Sequence, residues 1–462
     1  MIKTIVFLAL TFNLIGFNVS AAMVFKKKVS VAELSPDDLG LPDLAIDQNN
    51  NIYVTWYEQN KGVFLSRSLD GGASFEKKVQ LDEDISGISS PEVAIGADGS
   101  VIVMYLAAKC ADFDGNISVI MKRSFDNGLT FKTDVAFKIP YSAINISIGF
   151  TSDLQVEQQT ICYIWNNANA LYFTMSKDMG ENFDTITVNE TINTNSISKD
   201  PVVSLQSDGS VFAMHYECES APDHKGNSCD LYFSKLENNS NAFSDSKLIS
   251  KTDSFAGFTI QGSIVTTTEN QTYLIWNHAP KYSDLGEKAP IFYTLSEDGG
   301  ENFGENNEIC FDGGTCYEVI WKALIDKQDA THFLYTAYGG GLAYRKSSDL
   351  LQTFGKEISI TDNEADVFPD MVINADGDLF VVWLETSVGR RLPRIYFSRS
   401  INIADGDLRD NSKMDDDDGF HDGCFLKTIF NKESRKNVTS KKSISRINDS
   451  ETMSRLYPQN PG

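Results

Sequence analysis

The chain has little positive charge. It carries 40 Lys and Arg against 64 Asp and Glu, a formal net charge of −24 over 462 residues. That balance disfavours nucleic acid and anionic membrane surfaces as partners, while leaving room for cations or basic proteins. Long apolar runs are nearly absent. The one at Ile5–Phe17 is too short to span a bilayer comfortably, so no transmembrane segment is expected in the mature chain. A sustained helical period is equally hard to find. None of the seven Cys stands in a CxxC or Cys/His metal spacing, and neither a phosphate loop nor a Ser/His/Asp arrangement stands out.

What is present begins with export. Lys3, the apolar run and the small residues Ser20-Ala21-Ala22 read as a secretory signal peptide over residues 1–22, which predicts a secreted, periplasmic or cell-surface protein. Disulfides suit that setting. Cys218 and Cys229 flank one loop, Cys310 and Cys316 bracket the turn FDGGT, and each couple is expected to pair. Cys110, Cys162 and Cys424 are left over, so at least one thiol is free or intermolecular.

The dominant signal is a repeat. Ser68–Phe75 (SLDGGASF) returns as SFDNGLTF from Ser124, SKDMGENF from Ser176 and SEDGGENF from Ser296, with eroded copies ending at Phe243 and Phe354. The closing Phe residues 75, 131, 183, 243, 303 and 354 lie 56, 52, 60, 60 and 51 apart, a period that marks a repeat architecture. Each copy has turn chemistry: Asp bonds backbone N–H groups, Gly takes positive φ, and Phe anchors the turn. The structural Asp residues of this motif are Asp70, Asp126, Asp178, Asp298 and Asp349. Apolar strands recur in step, as NIYVTW, SVIVMY, TICYIW, SVFAMH, QTYLIW, THFLYT and DLFVVW. Seven such second strands predict a seven-bladed all-β propeller of four-stranded antiparallel blades. The seventh unit has no fourth strand after Ser400, and FKKKVSVA from Phe25 resembles a fourth strand, so an N-terminal strand is expected to close the ring.

These repeats resemble the Asp-box (BNR) repeat of the sialidase superfamily, over residues 24–410. Members of that superfamily have six-bladed catalytic domains, which leaves a six-bladed ring with an extra hairpin as the alternative. The resemblance also implies what a sialidase needs: three arginines gripping a carboxylate, a Tyr–Glu nucleophile pair, an Asp acid/base and an N-terminal F/Y-R-I-P motif. Lys does not replace the planar fork of Arg. No such motif occurs here, and Arg67, Arg123, Arg345 and Arg399 fall on or beside third strands. Only Arg390, Arg391 and Arg394 come near the right face, all from one loop. Beyond residue 410 the pattern stops, and the Asp- and Lys/Ser-rich stretch 411–462 has the composition of a solvated tail.

In a propeller the loops joining second to third and fourth to first strands share the face opposite the Asp-box turns. Second-strand ends bring Glu58, Asn167, Glu217, His278, Tyr338 and Glu385 to that face, and first-strand starts add Asp43, Glu92, Asp200 and Asp370. The mouth is acidic, suited to Ca²⁺ or a cationic partner, although solvated or turn-capping carboxylates explain most such residues. Trp56, Trp165, Trp276 and Trp383 are candidates to stack on sugar rings, but their equivalent places in each blade favour a core role. The sequence therefore predicts a monomeric, non-hydrolytic binding module for a glycan, protein or cation, without nucleic acid or an obligatory cofactor. The alternative is a glycoside hydrolase, either a divergent exo-α-sialidase or one using paired carboxylates.

Overall fold

The computed structural model describes residues 22–403, except 37, 39, 60, 83–84, 87–90, 110–115, 141–151, 168–169, 191–195, 221–226, 252–261, 278–289, 312–317, 338–339, 363–365 and 387–391. The expected signal peptide (but for its last residue) and tail lie outside the described residues. The chain divides into a ring, residues 25–400, and a smaller unit that includes strand ends 22–24 and 401–403. Every regular element among the described residues is a β-strand.

Seven antiparallel sheets form the ring. Blade one runs Gly40–Ile46, Ile52–Glu58, Gly62–Ser68 and Val79–Asp82, each strand paired with the next. The first strands of the other blades are Glu92–Ile95, Ser152–Glu157, Ser196–Leu205, Ser263–Thr266, Val319–Ile325 and Asp366–Ile373. Each first strand touches the first strands of both neighbouring blades, and the seventh meets the first. These strands therefore line the axis. Short turns join first to second strands, as hairpin geometry allows.

Second strands carry the core. Thr272–Asn277 is buried at every position, and the other second strands are nearly so. A strand covered on both faces reads as a continuous apolar run instead of an alternating one, which is how these segments read in the sequence. Trp56, Trp165, Trp276 and Trp383 are each 0 % exposed. Trp56 packs with Leu44, Phe64, Val382 and Ile395 between blades seven and one. The core reading of these four indoles holds.

Closure comes from the N-terminal segment. Val29–Glu33 pairs antiparallel with Arg394–Phe397, the third strand of blade seven. Glu33 pairs with Arg394 and Lys28 with Glu385, and Leu34 enters the core between blades seven and one. The last blade thus takes its outer strand from the opposite end of the ring's sequence, which covers the edge that Arg394–Phe397 would otherwise expose.

The repeated turns share one hydrogen-bond pattern. In the first, Ser68 Oγ donates to Asp70 Oδ1 at 2.7 Å and accepts Gly72 N–H at 2.8 Å, while Asp70 accepts Ser74 N–H at 2.9 Å. Thr130, Asn182, Asn302 and Thr353 repeat the last contact on Asp126, Asp178, Asp298 and Asp349. Hydrogen bonds led by Ser74 hold the Asp70 carboxyl down at about 2, and those led by Asn182 and Asn302 hold Asp178 and Asp298 at about 2. Gly72 has φ +87°, and a Cβ there would meet Phe397 at 2.2 Å. Only glycine fits both demands.

One disulfide joins Cys218 to Cys229, directly opposite each other across the second and third strands of blade four. Cys310 is also disulfide-bonded. Its expected partner Cys316 lies outside the described residues, as do Cys110 and Cys424. Cys162 is a buried free thiol.

Candidate functional site

The first strands depart from regular pairing at four places around the axis. In blade one, register passes from Gly40 opposite Tyr57 to Asp43 opposite Thr55, so Leu41 and Pro42 face Trp56 alone. Blade four does the same with Asp200 and Pro201 against His215, and blade seven with Phe368 and Pro369 against Trp383. In blade six a single extra residue, Trp321, lies between Ile320 and Lys322. Proline has no N–H to give a ladder, so a bulge is where a strand tolerates it. The residue ahead of each proline is left-handed: Leu41 at φ +40°, Asp200 at +47° and Phe368 at +50°. Strained non-glycine residues of this kind persist where the surroundings over-determine them, and they concentrate at functional sites.

Blades six, seven and one bring their irregular segments together. Trp321 is half-buried, in contrast to the four sealed indoles, and its Nε1 donates to Thr336 Oγ1 at 2.8 Å. Its ring meets that of Phe368 edge to face, with centroids 6.1 Å apart. Beside them Lys322 pairs with Asp370. Asp370 Oδ2 also accepts Leu44 N–H of the next blade at 3.2 Å, and Asp43 Oδ2 accepts Val93 N–H of the blade after that at 2.6 Å. The two carboxyls face each other at hydrogen-bonding range. Such contact needs a proton between them. Withdrawal of Asp43 from bulk water, followed by the charge of Asp370, pushes its carboxyl well above the ordinary range despite the opposing pull of Lys322. Asp43 therefore retains its proton where a free aspartate would lose it, and the pair staples three successive blades.

The other candidates are dispersed. Glu58 is 1 % exposed and bonded to Trp56 Nε1 at 3.0 Å, Lys61 at 2.8 Å and Lys78. Burial alone would raise its carboxyl, but hydrogen bonds from Lys61, Lys78 and Trp56 outweigh that and keep it low. Glu385 is tied to Lys28. Glu217 lies 3.4 Å from the Nε2 of His215, whose ring is buried against Tyr232. Glu92 opens the first strand of blade two, and Asn167 ends the second strand of blade three. His278 and Tyr338 lie outside the described residues. Thus Asp43 and Asp370 are brought together, whereas Glu58 and Glu385 make ion pairs and Glu217 lies beside His215, in three separate blades.

Sequence reasoning missed Trp321, Phe368 and Lys322. A signal existed: Trp321 is the one tryptophan off the second-strand register, and Phe368-Pro369 repeats the Leu41-Pro42 and Asp200-Pro201 dipeptides. Among the described residues the five arginines all lie on third strands, away from the axis, while Arg390 and Arg391 fall outside those residues. No three His, Cys, Asp or Glu side chains converge as metal ligands among the described residues. No helix among them is long and apolar enough to cross a membrane.

No family profile and no curated protein matches the chain. Solved structures do. It is similar to an ulvan lyase bound to -[GlcA(1-4)Rha3S]-, at 9 % identity and TM-score 0.55, covering 81 % of this chain and 95 % of that one. An α-L-arabinanase of Penicillium chrysogenum complexed with arabinobiose matches at 11 % identity and TM-score 0.48, over 82 % and 98 % of the two chains. The intramolecular trans-sialidase of Ruminococcus gnavus matches at 10 % identity and TM-score 0.42, over 79 % and 97 %. At these identities the likeness speaks for the fold.

Proposed function

We propose that the protein is an exported, non-hydrolytic carbohydrate-binding propeller, and that Trp321 and Phe368, with the Lys322–Asp370–Asp43 group beside them, grip a glycan at the axial end of the first strands. The observation that carries this reading is the half-buried Trp321 edge-on to Phe368, on adjoining bulges that re-aim side chains. The exposed part of a half-buried indole offers a sugar ring apolar contact, and the charged groups nearby supply hydrogen bonds to hydroxyls. The ulvan lyase it resembles in fold is bound to a polysaccharide fragment, which makes a polysaccharide the first ligand to try.

The hydrolase reading rests on the same two carboxyls, one holding a proton where an acid catalyst would need it. Its weakness is spacing. A retaining pair stands about 5–5.5 Å apart and an inverting pair about 6.5–9.5 Å, so that a glycosidic bond fits between. Asp43 and Asp370 touch each other and hold the backbone of neighbouring blades, which suits a structural role.

Affinity electrophoresis in gels cast with ulvan, arabinan or sialylated mucin tests the proposal. Retardation by at least one polysaccharide, lost in Trp321→Ala at an unchanged melting temperature, is the expected result. Migration unaffected by all three, or equal retardation of wild type and variant, counts against it. Release of reducing ends from a retarding polysaccharide, abolished by Asp370→Asn, would establish the hydrolase instead.

A further inference from the structure

Four arginines stand just before the box turns or at the equivalent place in a third strand, and three have their Nε–H engaged. Arg67 Nε donates to Glu76 at 2.8 Å, Arg123 Nε to Ser100 Oγ at 3.4 Å, and Arg345 Nε to the Tyr335 hydroxyl at 2.9 Å. Arg399, the equivalent residue of blade seven, differs. Its Nε is buried and has no hydrogen-bond partner among the described residues. Leaving such a donor unmatched is unfavourable, and more so on a charged group. Its guanidinium lies against Gly71, where Nη1 would be 2.9 Å from an added Cβ. Here blade seven's outer segment is the N-terminal stretch, which brings Lys26 and Lys27 alongside. Arg399, Lys26, Lys27 and the Gly71-Gly72 turn line a notch of about 130 Å³ between blades seven and one.

Two carboxylates are near. Asp70 lines the notch, but Ser68 and Ser74 already engage its oxygens, and Asp378 is close enough to act on the charge of Lys26. Lys26 and Arg399 crowd each other, so the proximity of two like charges adds to the effect of burial in lowering the Lys26 ammonium. In a chain of net charge −24, three cations around one small recess are a local reversal of sign.

We propose that this notch binds a tetrahedral oxyanion, a sulfate or phosphate group, with Arg399 as its principal ligand and Lys26 and Lys27 supplying charge. The guanidinium presents fixed donors that match such an anion, and the recess accepts one group and little more. The site lies at the box-turn side of the blade seven–blade one junction and is independent of the Trp321 group.

Isothermal titration and thermal unfolding with sodium sulfate and, separately, sodium phosphate, against sodium chloride at equal ionic strength, test the inference on the full chain. Wild type is expected to bind at least one of the two anions at low-millimolar concentration and to melt higher in it than in chloride. Arg399→Gln should weaken binding about tenfold or more, as for loss of one charge-assisted hydrogen bond. The double substitution Lys26→Gln with Lys27→Gln should weaken it less, and Lys235→Gln, at a distant blade, not at all. A preference for sulfate assigns a sulfate ester as the natural group, and a preference for phosphate assigns a phosphate ester. Equal melting of wild type in chloride, sulfate and phosphate would overturn the proposal. So would an anion effect that Arg399→Gln leaves intact while its chloride melting curve shows a folded protein.

Discussion

The two ends of the blades obey different rules. At the box turns the same hydrogen bonds recur in blades one, two, three, five and six: a serine to an aspartate, a backbone N–H to the serine, and another to the aspartate. Along the first strands a proline bulge recurs in blades one, four and seven, but the side chains it carries differ. Blade one holds Asp43, blade four Asp200, blade six Trp321 and Lys322, and blade seven Phe368 and Asp370. Repetition is what a folding unit requires, since each blade must solve one packing problem. Variation on a fixed scaffold is where a binding specificity can differ from blade to blade.

The largest effect that separates the two ends should be on stability at the turns. Gly72→Ala forces a side chain into positive φ and onto Phe397, and is expected to cost about 2–4 kcal/mol by urea unfolding. Trp321→Ala, at a half-buried bulge, should cost clearly less in the same assay. Equal losses would mean that the bulges are as structural as the boxes. A smaller version of the first test is Ser68→Ala, which leaves the buried Gly72 N–H without its acceptor, an expected cost of about 1–3 kcal/mol.

Two pH responses of opposite sign sharpen the contrast. Asp43 is raised well above 3.8, so the native state holds its proton longer than the unfolded chain does. Stability from this group is greatest at low pH and is lost as pH climbs from about 4 through the raised native value. Asp43→Asn keeps an acceptor for Val93 and a donor for Asp370, and should flatten that decline. A steeper loss of stability at alkaline pH in the variant would contradict the protonated state assigned to Asp43. The box carboxylates run the other way: with Asp70 held at about 2, their contribution is complete above about pH 4 and falls away as acid is added towards pH 2. Asp70→Asn should show a slightly shallower acid transition than wild type, the smallest of these effects because the side chain is exposed.

Much of the fold was legible because repeats state it many times over. Seven apolar strands ending in Trp, Tyr, His or Thr, with the box turns marking most repeats, led to seven blades, and FKKKVSVA led to closure by the N-terminal strand. The six-bladed alternative fails because THFLYT and DLFVVW each centre a sheet of their own. The site was less legible. Position in a strand pointed to Glu58 and Glu385, but it did not show Lys61, Lys78 and Lys28 reaching them from loop, outer and N-terminal segments. Nor did it show the bulges, because a one-residue slip in register changes no residue type. Trp321 looked like one aromatic among many until its strand was known to be the innermost of blade six.

The glycan is met by the axial bulges, on a face separate from the box turns. Acrylamide quenching of tryptophan fluorescence during titration with a retarding polysaccharide tests this, because Trp56, Trp165, Trp276 and Trp383 are sealed and Trp321 is half-buried. A quenchable component that is absent from Trp321→Phe and that saturating polysaccharide removes from wild type is the expected result. Polysaccharide that binds while leaving this component fully quenchable would contradict it.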